Sequence, residues 1–196
     1  MISRRLQFAI AALVMAILAM GFYLVHLKRK AEAIGTPPAP QALTAPVSGP
    51  AQQMTLYLAD DAADSLHPVT ISSALPTDPG ELGRLTLHTL ITQYQQPNSP
   101  HPLAAGADVH DVYLLDTSSA VVNLNETFAS THRSGIEVEQ LSVFSLVLTL
   151  KAQLPQLTRV RFLVEGKTRD SLAGHIDLAD WFDAAQVADA ARDLQK

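Results

Sequence analysis

Within "EGKTRDSLAGHIDL" (Glu165 to Leu178), the triplet Gly166-Lys167-Thr168 has the residue types that close a phosphate-binding loop. Such a loop needs a glycine five positions before the Gly-Lys pair, because the backbone there must curl until its N–H groups face the phosphates. Arg161 occupies that position, and Val160-Arg161-Phe162-Leu163-Val164 reads as an apolar strand running up to the glycine. A phosphate loop also needs a helix N-terminus just downstream. Here Ser171 to Asp177 alternates like a second strand and contains Gly174. The triplet is therefore expected to be a hairpin turn, and no nucleotide or other cofactor is assigned to the chain.

The chain has seven histidines, which raises the question of a metal. His67, His88, His101, His110, His132 and His175 are scattered, and none has the partner three to five residues away that structural sites commonly use. The expectation is no metal ligand, with His88 and His175 as satisfied polar residues. A hydrolase would need a nucleophile beside a base. Ser118-Ser119 and Ser130 fall in expected turns and loops without a Gly-x-Ser-x-Gly elbow. Asp177, Asp180 and Asp183 flank Trp181-Phe182 and read as a strand end running into a solvated tail, with the two aromatics pinning the last strand to the core. No catalytic residue is assigned, and the chain is expected not to be an enzyme.

Composition narrows the choice further. The chain has 196 residues, a formal charge of −5 and no cysteine. Disulfides, thiolate nucleophiles and cysteine-bound metals are excluded. The mild acidity argues against nucleic acid, which calls for a basic face. From Phe8 to Val25, "FAIAALVMAILAMGFYLV" is uncharged and apolar. As a helix it would reach roughly 27 Å, about the hydrocarbon thickness of a bilayer. Lys28-Arg29-Lys30 follows as a stop-transfer flank. Ala31-Glu32-Ala33 has the look of a cleavage site, so a signal peptide competes with an uncleaved anchor. The run is longer than a usual signal core, which favours the anchor. Residues 34–53, with prolines among small and polar residues, read as an extended spacer.

The elements that must carry any site follow the spacer. Met54–Ala59 alternates as a strand. Asp78, Pro79 and Glu81 mark a helix start of capping-box type, with Leu82, Leu85, Thr89 and Leu90 at helical spacing as far as Tyr94. Val109–Leu115 and Ala120–Asn125, joined by Asp116–Ser119, form an antiparallel hairpin. Ile136–Leu154 is too long for a strand and reads as a largely covered helix. Val160–Val164 is the next strand and Ser171–Asp177 the last. Residues 183–196 favour helix weakly and could dock or dangle.

The residues resemble a known family. Val112-Tyr113-Leu114, Ala120 to Asn125 with Phe128, Gly135 and Glu139 opening a long helix, and above all "VRFLVEGKTRDSLAGHIDL" are similar to the GerMN domain, a module of bacterial envelope and sporulation proteins. The resemblance covers residues 54 to 182. It implies an α+β fold with two helices on one face of a small mixed sheet, in the order βαββαββ. It also implies a non-enzymatic interaction module outside the cytoplasmic membrane. The expected organisation is an anchor at 1–30, a linker at 31–53, the GerMN-like domain at 54–182 and a tail at 183–196. A single-pass inner-membrane protein results, with the membrane as partner through its N-terminal helix. A protein partner, or a second copy, is expected to bind through the sheet. A periplasmic domain that binds a small envelope ligand such as a glycan fragment is the alternative.

Overall fold

The computed structural model describes residues 51–194. The apolar run Phe8–Val25 and the residues before position 51 lie outside the described residues. Among the described residues no helix is long and apolar enough to cross a membrane.

The fold is α+β, with two sheets and four helices. A hairpin of β1 (Ala51–Asp60) and β2 (Ser65–Ala74) comes first, then helix α1 (Pro79–Tyr94). Strands β3 (Val109–Leu114) and β4 (Ser119–Leu124) lead into the short helix α2 (Glu126–Ser130) and the long helix α3 (Ile136–Gln153). Strands β5 (Arg159–Val164) and β6 (Phe182–Asp183) complete a sheet of order β3-β4-β5-β6, and α4 (Ala184–Asp193) ends the fold. β4 and β5 run parallel, and the other neighbours in this sheet run antiparallel.

Local chemistry explains most of the boundaries. Asp78 caps α1 by accepting the Glu81 N–H at 2.9 Å, with Pro79 in the first turn. The Glu81 carboxylate turns to Arg84 at 3.0 Å, so the capping box is only half formed. Asn125 caps α2 through the Phe128 N–H, and Asp183 caps α4 through Ala185 and Gln186. Gly83 lets α1 come close to its neighbours. A Cβ there would lie 3.0 Å from Val112 and 3.2 Å from Leu150.

The expected order βαββαββ needs correction in three places. First, Ser65–Ala74 is a strand that the expected order lacks; it pairs with β1 through all ten of its residues. His67, Pro68, Val69, Thr70 and Ser72 are all exposed, so the apolar alternation that marks a half-buried strand is missing. Second, α2 is an added turn of helix. Third, Ser171–Asp177 is a loop closed by the single bridge Ser171–Asp177, and Phe182–Asp183 takes the place beside β5. Phe182 meets Phe162 edge to face at 5.5 Å and so fastens this short strand, not the expected Ser171–Asp177, to β5. The tail from Ala184 docks as helix α4, with Ala184, Val187 and Ala191 buried.

The core lies on both sides of α3. Val112, Val122 and Phe162 share one register row of the large sheet; Val109, Leu124 and Val164 share the next. All are buried on the helix side. Met54, Leu56 and Ala59 of β1 are fully buried as well. Every residue of α3 from Leu141 to Leu150 is buried, as befits a helix covered all round.

Candidate functional site

Helix α3 is the element that brings chemically interesting groups together. Glu139, Ser142, Ser145 and Thr149 recur at helical spacing, and all are buried. Glu139 bonds the 171–177 loop, Ser142 meets His101 and His132, and Ser145 and Thr149 both bond Tyr57 of β1, so the four form a polar ridge along an otherwise apolar helix.

At the N-terminal end, the Glu139 side chain is fully buried. Its Oε2 accepts the N–H groups of Ala173, His175 and Ile176, each at 3.0 Å. Its Oε1 meets His175 Nδ1 at 2.9 Å and accepts the Gly135 N–H at 3.2 Å. Gly174, at φ +118°, allows the backbone to wrap the carboxylate. Burial alone would push this carboxyl up, but the donors from Ile176, His175 and Ala173 outweigh it and hold the pKa at about 2. These bonds also explain why Ser171–Asp177 is no strand: its N–H groups are engaged by the helix.

Ser142 lies one turn further on. His101 Nε2 and His132 Nε2 both lie 2.6 Å from its Oγ. His101 Nδ1 lies 2.5 Å from Asp61 Oδ1, and the Arg133 guanidinium meets Asp61 Oδ2 at 2.5 Å. His132 Nδ1 meets the Arg133 carbonyl at 2.7 Å. Burial lowers the pKa of both histidines below the ordinary 6.5, against the pull of Asp61 on His101.

Further along, Ser145 donates to the Tyr57 carbonyl at 2.6 Å, and the Tyr57 N–H donates to Thr149 Oγ1 at 2.9 Å. The Ala59 N–H donates to Tyr94 Oη at 2.8 Å. The edge of β1 that faces away from β2 is thus closed by hydroxyl groups instead of a third strand. Pro68, opposite Tyr57, costs the hairpin no ladder bond, because this register position points its backbone away from the partner strand.

Asp61, His101 and Ser142 have the order of an acid–base–nucleophile relay. An acyl-transfer site also needs an accessible serine and room for a carbonyl beside it. Ser142 and His101 are each only 1% exposed, and the Ser142 Oγ is shared between two imidazoles. The arrangement joins segments and admits no substrate.

The groups singled out in the sequence fall elsewhere. Val164 and Lys167 exchange both backbone bonds across Glu165-Gly166, a tight turn with φ of 51° and 71°. The Glu165 N–H goes to the Leu124 carbonyl and the Gly166 N–H to Asn123 Oδ1 at 2.7 Å. With those donors occupied, no anion can be cradled there. His88 pairs with Asp108 at 2.8 Å, which raises its pKa, and His110 pairs with Glu165 at 3.0 Å. His67 meets Ser65 at 2.9 Å. Among the described residues no three His, Asp or Glu side chains converge as a metal centre. Asp116 organises the Ser118 turn, Asp177 the Ala179 turn, and Asp183 the start of α4. The pairing of His101 with His132 was missed because it spans 31 positions; the signal in the sequence was the polar spacing 139, 142, 145, 149.

Among the described residues the outer face of the large sheet lacks a covering helix. Tyr113, Val121 and Arg161 share one register row, and Leu163 follows in the next; all four are half-buried. Arg159 lies under Trp181 at 4.6 Å and donates to Ser119. The Arg161 Nε is buried and has no hydrogen-bond partner. A cavity of about 230 Å³ lies between the hairpin, α3 and α4, with mostly apolar walls that include Tyr57, Leu66, Leu148 and Ala191.

A family model described as Germane, sporulation and spore germination, matches residues 55–170. The chain is similar to the tandem GerMN domains of the sporulation protein GerM from Bacillus subtilis, with 17% identity and a TM-score of 0.52, covering 69% of this chain and 47% of that one. It therefore spans about half of the tandem structure. A Clostridium perfringens structure described as "Putative Lipoprotein" gives 20% identity and a TM-score of 0.46, over 76% of this chain and 97% of that one. The first GerMN domain of GerM alone gives 19% and 0.44, over 66% and 94%. No curated protein sequence matches the chain.

Proposed function

The chain belongs to the Germane family of GerMN domains, related to sporulation and spore germination, and from that premise we propose that it is a non-enzymatic interaction module of the bacterial cell envelope. In this reading the apolar run Phe8–Val25 anchors it in the cytoplasmic membrane, the proline-bearing stretch holds it off the surface, and the folded domain works on the extracytoplasmic side. The partner is another protein, or a second copy, that docks on the open face of the large sheet.

One observation carries this reading: Tyr113, Val121, Arg161 and Leu163 lie together on a sheet face that no helix covers among the described residues. Tyrosine and arginine beside aliphatic residues are a composition favoured at protein contacts. The alternative, a glycan-binding domain, would need convergent polar groups in a pocket. The cavity beside α4 has apolar walls, which favours the first reading.

The test is photo-crosslinking from full-length protein in its membrane, with the reactive residue at Leu163 in one variant and at Val69 on the hairpin in another. The expected result is a defined adduct from position 163 that disappears on Arg161→Glu, and none from position 69. Monomer alone from position 163 under every condition would contradict the reading. A reporter fused to the C-terminus tests the topology, and cytoplasmic activity of that reporter would refute the envelope location.

A further inference from the structure

We propose that His101, Ser142 and His132 form a one-proton switch that tightens the hold of three loops on helix α3 when the surroundings turn acid. The argument is a count of hydrogens. His101 Nδ1 faces one carboxylate oxygen of Asp61, whose other oxygen accepts from the Arg133 guanidinium, so Nδ1 carries a hydrogen. His132 Nδ1 faces the Arg133 carbonyl, which only accepts, so it carries one too. In the neutral state both Nε2 atoms are therefore acceptors. They face the same Ser142 Oγ at 2.6 Å, and that hydroxyl has a single hydrogen to offer.

Two acceptors thus compete for one donor in a site closed to bulk water. One added proton resolves the conflict. An imidazolium donates to Ser142 Oγ, and the hydroxyl donates to the other ring, so every contact becomes a hydrogen bond. A second proton reverses the gain. It would place two like charges on rings whose centroids lie 6.2 Å apart, with two donors aimed at one oxygen and the hydroxyl hydrogen left without an acceptor. The pair therefore takes up one proton and resists the next.

The surrounding groups set the balance. From the turn after β1 comes Asp61, from α1 the edge of Tyr94 at 4.7 Å, from the loop before α3 Arg133, and from α3 itself Glu139. Phe128 of α2 closes the remaining side at 5.8 Å from His132. Asp61 and Glu139 favour the proton, while Arg133 and burial oppose it. Burial weighs most, and uptake consequently falls below the ordinary histidine range. The conformational effect is local: His101 fixes the loop that precedes β3, His132 fixes the turn after α2, and Asp61 fixes the end of the hairpin. Above the midpoint one ring lacks its bond to Ser142 and its loop is held less firmly.

Imidazole ¹⁵N NMR of full-length protein in detergent micelles, titrated downward from alkaline pH, reads this directly. The expected result has both rings as Nδ1–H tautomers at alkaline pH, followed by uptake of a single proton that shifts the nitrogens of both rings with one common midpoint. Ser142→Ala removes the shared hydroxyl and should separate the two titrations. In His132→Gln, His101 alone faces Ser142, so its midpoint should fall by about one pH unit, a tenfold loss of proton affinity. Independent midpoints in the unmodified protein, an Nε2–H tautomer on either ring at alkaline pH, or an unchanged His101 midpoint in His132→Gln would each overturn the proposal. Loss of both ring signals on addition of zinc alone, without any acid, would also overturn it, because the paired nitrogens would then be a metal site.

Discussion

The two sides of helix α3 are held in different ways. Toward the large sheet, Leu146 and Leu150 belong with Val122 and Phe162 to one buried apolar core. Toward the hairpin and the loops, the same helix offers carboxylate, hydroxyl and imidazole contacts to backbone groups. Apolar packing tolerates sliding and rewards area alone. Hydrogen bonds fix direction, and a buried one that is broken costs more than an equivalent one gains. The sheet side therefore supplies the stability, while the ridge side specifies where irregular segments must lie. A helix polar enough to position four segments stays buried because each polar atom of the ridge finds a partner.

The largest expected effect is on the sheet side. Phe162→Ala should cost about 4 kcal/mol in denaturant unfolding, since it empties the centre of the packed layer. Glu139→Ala should cost about 3 kcal/mol, because three backbone N–H groups of the 171–177 loop lose their acceptor inside the protein. Acid gives an independent measure of that carboxylate. Its folded pKa of about 2 lies below the ordinary 4.5, so its contribution is present above pH 4.5 and is lost as pH falls through about 2. A Glu139→Gln variant should lack this part of the acid transition; the same acid sensitivity in both would refute the assignment.

Smaller effects separate the two sides more finely. Tyr94→Phe removes the acceptor of the Ala59 N–H and should cost roughly 1–2 kcal/mol, with local loosening of β1. Thr86→Val should be the smallest and of opposite sign. The Thr86 hydroxyl is buried without a partner, so its removal should leave stability unchanged or raise it by up to about 1 kcal/mol in thermal melts. A marked loss there would show that the hydroxyl does find a partner in solution.

Much of this was legible in the sequence, and the exceptions follow a rule. Strong local signals gave α1 through Asp78 and Pro79, the β3–β4 hairpin, the covered length of α3, and the turn at Gly166-Lys167. The segments misread are those whose shape is imposed from a distance. β2 has few apolar residues on its outer side, and it is a strand because β1 pairs with it along its whole length. The Ser171–Asp177 stretch alternates as a strand would, yet its amides belong to Glu139. The histidine pair meets only because Ser142 draws in residues from two separate loops. Spacing rules for metal or catalytic histidines look along the chain and cannot see such a meeting. Among the residues that carried the resemblance to GerMN domains are His175 and Glu139, which the structure places in contact with each other.

The contrast between the two sides is tested most directly by native-state hydrogen exchange on the full-length protein. The account predicts that the amides of Val122 and Phe162, at the middle of β4 and β5, exchange only on global unfolding, and that the β1–β2 hairpin amides open at a lower free energy, lower still in Tyr94→Phe. Equal protection across both sheets, unchanged by that substitution, would contradict it.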